Sequence, residues 1–145
     1  YGYRYKYKAR NGRPADYLGA IPEPLCLSGR RLFAAGLLET LPDQVIVNEY
    51  LPGQGISAHI DCEPCFGPQV ASISLSGSCM MNFTKPGKDK KIEISLKRRS
   101  LLLLENDARY EWRHSIPSRK SDVVASIRVP RSRRISLTFR KVNMT

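Results

Sequence analysis

From Asp43 onward, apolar and polar residues alternate in short runs broken by Gly, Pro, Asn and Asp, a pattern that predicts strands. The predicted strands cover 45–51, 69–76, 79–84, 91–96, 100–105 and 134–142, and a further one begins or ends at 59–61. In 91–96, Ile92, Ile94 and Leu96 share one face. The run 100–105 is almost continuously apolar and reads as a buried strand. Residues 85–90 form a charged turn. One segment, 28–40, predicts a helix, with Ser28 as N-cap and Leu32, Phe33, Leu37 and Leu38 as an apolar stripe packed on a sheet. At the start, Tyr1, Tyr3, Tyr5 and Tyr7 alternate with Gly2, Arg4, Lys6 and Lys8, which predicts a strand with an aromatic and a basic face. Asn11-Gly12 is a hairpin signal, and 14–24 reads as a proline-rich loop. Many short strands with Gly/Pro turns and one supporting helix make the expected fold mainly β (α+β), a sandwich or jelly-roll barrel.

Composition bounds this picture. With 145 residues and 41% hydrophobic content, one folded domain (1–145) is expected, with a lid and loop over 1–24 and a core over 25–145. No apolar run exceeds the four residues of Leu101 to Leu104, far too short to span a membrane, so no membrane partner is expected. The chain opens without a signal-peptide pattern and without Met, which reads as a trimmed or partial chain from the cytoplasm or nucleus, not a secreted one. A net charge of +11 points to a polyanionic partner, nucleic acid above all. Cys62 and Cys65 have C-x-x-C spacing without a second such pair, so these two, Cys26 and Cys79 are expected as free thiols. Nothing at helical spacing suggests a coiled coil, and a monomer is expected.

Candidate chemistry gathers on four stretches. On the last strand, Ile135, Leu137 and Phe139 face one way, and Arg134, Ser136, Thr138 and Arg140 face the other. That second face either meets solvent, as on an edge strand, or lines a cavity that holds an anion, and two guanidinium groups with hydroxyls between them suit a carboxylate. Asn48 and Tyr50 add an amide and a phenol on one face of the strand 45–51. After the Pro52-Gly53-Gln54-Gly55 turn, His59 and Asp61 stand two residues apart, so on a strand they project together. A histidine and a carboxylate make two-thirds of the two-histidine, one-carboxylate set that suits non-haem Fe(II). The chain has one other histidine, His114, far downstream, and a jelly roll makes such distant strands neighbours.

In this order, Asn48-Glu49-Tyr50, Pro52-Gly53-Gln54-Gly55-Ile56, His59-Ile60-Asp61, the stretch Arg109 to His114 and the Arg-x-Ser-x-Thr-x-Arg pattern from Arg134 to Arg140 resemble the AlkB family of Fe(II)/2-oxoglutarate dioxygenases. Arg109-Tyr110, Trp112 and His114, with Arg119 and Asp122 after them, are most similar to the branch with the tRNA wobble-uridine oxygenase and small viral and bacterial homologues. The resemblance implies a double-stranded β-helix core. It implies Fe(II) on His59, Asp61 and His114, with 2-oxoglutarate and O2 as cosubstrates. It implies that Arg134 pairs with the far carboxylate of 2-oxoglutarate, assisted by Asn48, Tyr50, Ser136 and Thr138. Arg140 then lies near the target base and pairs with Glu63. Tyr3, Arg4, Tyr5, Lys6 and Tyr7 would contact substrate as a lid of rings and cations, the way single strands are held. The implied reaction is oxidative demethylation of N-alkylated bases in single-stranded DNA or RNA, releasing succinate, CO2 and formaldehyde. Hydroxylation of a modified tRNA base and demethylation of a protein side chain use the same chemistry, and a non-catalytic basic RNA-binding β domain is the alternative from another class.

Overall fold

Helix α1, Glu23–Ala34, starts earlier than its apolar stripe suggests. Pro24 lies in its first turn, where a missing N–H costs nothing and the fixed φ is already helical. Ser28 is therefore inside the helix, and its hydroxyl donates back to the Pro24 carbonyl instead of capping. Gly36, at φ 69°, ends the segment in the left-handed region. Leu32 and Leu38 are buried, but Phe33 and Leu37 are exposed, so only half of the expected stripe packs.

The computed structural model describes residues 1–4 and 17–143. Its strands are β1 (Gln44–Tyr50), β2 (Ile56–His59), β3 (Phe66–Ser76), β4 (Cys79–Thr84), β5 (Lys91–Leu96), β6 (Leu101–Leu104), β7 (Arg113–Ile116), β8 (Ser121–Val124), β9 (Ile127–Pro130) and β10 (Arg134–Val142), with a short helix α2 (Asn106–Tyr110) before β7. One four-stranded sheet has the order β1-β10-β3-β6, the other β2-β7-β4-β5, and β8 and β9 form a separate hairpin. The pairings are antiparallel, and β1 runs in unbroken register against β10 from Gln44↔Arg140 to Tyr50↔Arg134.

The two sheets close on Val70, Cys79, Met81, Phe83, Leu96, Leu104 and Ile116. A second cluster joins Leu32 and Leu38 to Val45, Ala71, Leu137 and Phe139, so α1 covers the outer face of the first sheet. This division explains the two faces of β10. Leu137 and Phe139 point out to the helix side, and Arg134, Ser136, Thr138 and Arg140 point between the sheets. Two strand expectations change. The leucine run is β6, an edge strand with Leu101 exposed, and its apolar residues on both faces reflect packing at a sheet margin. Ile92 and Ile94 are also exposed, on β5, which is an edge of the second sheet. Asn106-Asp107 opens α2 instead of making a simple turn.

The connection from β1 to β2 is fixed from outside. A Cβ on Gly55 would collide with the Ile116 carbonyl, so only glycine lets this turn lie against β7. Buried Asp122 accepts from Arg119 Nε (2.7 Å), Arg131 Nε (2.7 Å), Arg131 Nη2 (2.8 Å) and the Met80 N–H (3.2 Å). Arg131 in turn donates to the Pro117 and Gln54 carbonyls. Burial raises the Asp122 pKa, but the hydrogen bonds from Arg131, Arg119 and Met80 outweigh it and hold the carboxyl below its ordinary value. A depressed folded-state pKa stabilises above the unfolded value of about 3.9, and that stabilisation is lost as pH falls through the folded value. Asp122→Asn is expected to lower the melting temperature at neutral pH and to flatten its decline below about pH 4. Melts from neutral to acid pH check this, and parallel curves for the two proteins would contradict it.

Candidate metal centre and cavity

The space between the sheets is a cavity of about 910 Å³. Its walls are apolar where Ile46, Val70, Met81, Leu102, Leu104 and Ile116 meet, and polar along β10 and the end of β2. Ile56, Ser57, Ala58, Glu63, Pro64 and Arg113 are its exposed lining residues, on β2, the following loop and the start of β7.

His59, Asp61 and His114 converge on this cavity, with one ligand atom from each within 4.8 Å of the others. The local geometry is not the one expected. β2 ends at His59, so Asp61 belongs to the following loop and not to a shared strand face. Its Oδ1 still comes 3.7 Å from His59 Nε2. His114 arrives from β7, directly opposite His59 in the β2–β7 register, with ring centroids 4.3 Å apart. His59 Nδ1 lies 2.8 Å from the Ser57 carbonyl. A carbonyl only accepts, so Nδ1 donates to it, and Nε2 is the nitrogen turned toward Asp61 and free to serve as a ligand atom. Burial, and then the neighbouring His59, push the His114 pKa down to about 4, so this ring is neutral at physiological pH. His114 Nδ1 is buried without a hydrogen-bond partner among the described residues. Two imidazoles and one carboxylate form a donor set suited to a divalent transition metal, Fe(II) included, with positions left open for other ligands.

The loop carrying Asp61 is clamped by Arg109, which is almost fully buried. Its Nη1 donates to the Asp61 carbonyl (2.8 Å), Nη2 to those of Cys62 (3.2 Å) and Phe66 (3.4 Å), and Nε to that of Gly67 (3.3 Å). Burial pulls the Arg109 pKa below its ordinary value. Cys62 and Cys65 are joined in a disulfide inside this loop, which corrects the expectation of four free thiols; Cys26 and Cys79 are free. The loop turns back on itself between Asp61 and Phe66, which brings the two sulfurs together.

Arg140 also departs from expectation. Its Nη2 donates to Asp61 Oδ1 (3.3 Å) and its Nη1 to Gln44 Oε1 (3.4 Å), whereas Glu63 stays exposed at the rim. Asp61 is buried beside β10 and meets the guanidinium first, while the loop carries Glu63 outward. Gln44, 1% exposed, passes the contact on by donating to the Tyr3 carbonyl (2.9 Å). Tyr3 also bridges Tyr17 and packs on Cys62, Cys65 and Phe66, and Arg4 is exposed. Tyr5, Lys6 and Tyr7 lie outside the described residues. Gln44→Leu is expected to release Arg140 and weaken metal binding by about 10-fold, the lower end of what loss of an outer-shell partner costs. Competition against a coloured chelator measures it, and unchanged affinity would mean that Gln44 serves packing alone.

At the other end of β10, Arg134 is 3% exposed. Its Nη2 donates to Ser74 Oγ (2.9 Å), its Nη1 to Ser136 Oγ (3.3 Å), and it sits 5.6 Å from the Tyr50 ring centroid. No carboxylate pairs with it among the described residues, and its Nε has no partner there. A buried guanidinium held by neutral hydroxyls is a site for an anion, and a carboxylate fits its fork. Asn48 donates to Thr138 (3.3 Å), and both line the cavity between this anion site and the triad. Gln44, Ser74 and Arg109 are the supporting residues that the pattern along the chain did not assign. Ser72 and Ser74, alternating in β3, were the visible signal for the second.

Residues 1–140 match the 2OG-Fe(II) oxygenase superfamily. Uncharacterized protein L905 of Acanthamoeba polyphaga mimivirus is 36% identical over 143 residues, covering 95% of this chain and 68% of the viral protein. The tRNA (carboxymethyluridine(34)-5-O)-methyltransferase alkbh8 of Xenopus tropicalis is 33% identical over 159 residues, covering 98% of this chain, which spans only 25% of that protein. The solved structure of OsALKBH1 superposes with a TM-score of 0.64 at 21% identity, covering 97% of this chain and 75% of that one, and shares the fold. The jelly-roll core, the histidine–aspartate–histidine cluster and the family match over nearly the whole chain agree, and the chain belongs to the AlkB group of the 2OG-Fe(II) oxygenase superfamily, dioxygenases that use Fe(II) and 2-oxoglutarate.

Proposed function

We propose that this chain binds Fe(II) through His59, Asp61 and His114, holds the far carboxylate of 2-oxoglutarate on Arg134, and oxidises a C–H bond on a modified base of RNA or single-stranded DNA, by N-demethylation in the first reading. The observation that carries it is the pairing, in one cavity, of a triad within 4.8 Å and a buried arginine that, among the described residues, meets two hydroxyls and the Tyr50 ring but no carboxylate.

Iron held on His59, Asp61 and His114 would supply O2 activation, with 2-oxoglutarate as the reductant that would end as succinate and CO2. The protein's own groups do the rest. Ser74 and Ser136 orient the Arg134 fork, and Asn48, Tyr50 and Thr138 line the path from Arg134 to the triad. Arg140 and Arg109 hold Asp61 from its side chain and its backbone. The apolar walls exclude water from the reacting C–H bond. Glu63 and Arg113 at the rim are placed to meet a base that has left its stack. The +11 charge favours a polyanionic substrate. A hydroxylated N-methyl group falls apart to formaldehyde and the unmodified base, whereas a hydroxylated carbon substituent stays as an alcohol.

A second reading, hydroxylation of a substituent on a tRNA wobble base, is favoured by the Xenopus relative, whose name refers to carboxymethyluridine at tRNA position 34. Succinate and formaldehyde release, measured in parallel with methylated single-stranded DNA, methylated RNA and tRNA, separates the readings. Formaldehyde matching succinate supports demethylation, and succinate with tRNA but no formaldehyde supports hydroxylation. Substrate-stimulated succinate from none of the three would overturn both.

A further inference from the structure

At the end of the barrel away from the triad, Ser76, Ser78, Lys97, Arg98, Ser132 and Arg133 line an open depression of about 560 Å³. It is built from three connections, β3 to β4, β5 to β6 and β9 to β10. Gly77, at φ 65°, lets them meet, because a Cβ there would stand 2.8 Å from the Arg133 carbonyl. No lining residue is acidic. Arg133 is paired with Glu49, but exposed Lys97, Arg98 and the adjoining Arg99 make no ion pair among the described residues. In the β4–β5 turn, by contrast, Lys85 is tied to Glu111 and Lys90 lies over the Trp112 ring, and no residue of that turn lines the hydroxyl-bearing depression. Unpaired like charges held together repel one another, and their grouping around hydroxyl donors is suited to a run of phosphates.

We propose that this depression is a second nucleic-acid contact, which grips the phosphate backbone of the substrate at a distance from the base in the cavity. It rests on the reading of the substrate as nucleic acid and adds a length requirement to it. The six residue-to-residue steps of β10 from Arg134 to Arg140, at ~3.3 Å each, put the depression about 20 Å from the triad. A stacked strand advances about 3.4 Å per nucleotide, so contact at both places takes about six nucleotides. A concave, hydroxyl-lined site suits a backbone strand better than the flat face of an anionic membrane. Short oligonucleotides fill the cavity only, whereas a folded RNA also engages Lys97 and Arg98.

The test is fluorescence anisotropy with the full chain and with Lys97→Glu/Arg98→Glu, using a tetranucleotide and a tRNA across a salt series. The charge reversal is expected to weaken tRNA binding at least 10-fold at low salt. It should reduce the slope of log affinity against log salt by about 1.4, for two contacts at ~0.7 each. Tetranucleotide binding and substrate-free 2-oxoglutarate consumption should not change, and Lys97→Gln/Arg98→Gln should show a smaller loss in the same direction. Unchanged tRNA affinity, or equal loss for both RNAs, would overturn the second contact and leave the substrate reading standing. Failure of the unaltered chain to bind either RNA, with 2-oxoglutarate consumption intact, would overturn both. Loss of binding to phosphatidylserine vesicles with RNA affinity unchanged would assign the depression to a membrane surface and also overturn it.

Discussion

Asp61→Ala is expected to abolish 2-oxoglutarate turnover by this chain. Asp61 provides the only anionic ligand atom of the triad. Its loss would leave two imidazoles, with no anionic ligand, to hold a dication, and it would leave Arg140, a buried cation whose side chain donates to Asp61 and Gln44, without its charge partner. Both effects act against metal binding, the first by removing a ligand and the second by leaving positive charge beside the site. The loss in iron affinity should exceed the ~100-fold that marks the upper end for outer-shell changes. Asp61→Asn keeps shape and a single donor oxygen but removes the charge, so it should fall between the two. Iron content after equilibrium dialysis, with succinate release alongside, measures both variants. Retention of normal iron in Asp61→Ala would mean that the cluster is not the metal site.

Arg134→Ala is expected to raise the 2-oxoglutarate concentration needed for half-maximal turnover by ~30- to ~1,000-fold, which corresponds to about 2–4 kcal/mol. The range is large because a buried carboxylate would lose its charged partner in a space that water enters poorly. Arg134→Lys keeps the charge, but one ammonium cannot reach Ser74, Ser136 and a carboxylate in the same plane, so it should recover only part of the loss. Iron affinity without 2-oxoglutarate should stay unchanged, because Arg134 and the triad occupy different ends of the cavity. Isothermal titration with each ligand separates the two effects. Equal loss of both would show that β10 had lost its structure, not a single contact.

The β-rich architecture and both faces of β10 were legible along the chain because a period of two survives wherever one face meets core and the other does not. Leu137 and Phe139 found α1, and Arg134 and Arg140 found the cavity. The triad was legible through scarcity: with two histidines in the chain, His59 left His114 as its only possible partner. Contacts set by tertiary packing were not legible. Arg140 chooses Asp61 over Glu63 because of where the loop turns, and that turn depends on Arg109 reaching four carbonyls from α2. Sequence spacing carries no trace of carbonyl partners, nor of Gln44 standing between Tyr3 and Arg140. The helix boundary misled because Ser28 looks like a cap, while Pro22 and Pro24 had already begun the turn. The edge leucines of β6 misled because an apolar run does not reveal how many neighbours a strand has.

The central claim is that one cavity holds Fe(II) on His59, Asp61 and His114 and 2-oxoglutarate on Arg134. Anaerobic titration of the chain with Fe(II) in saturating 2-oxoglutarate, followed by visible absorption, tests it most directly. The expected result is a weak charge-transfer band that saturates at one iron per chain, disappears in His59→Ala, and in Arg134→Ala returns only at much higher 2-oxoglutarate. No band in the unaltered chain, or a band that His59→Ala leaves unchanged, would contradict it.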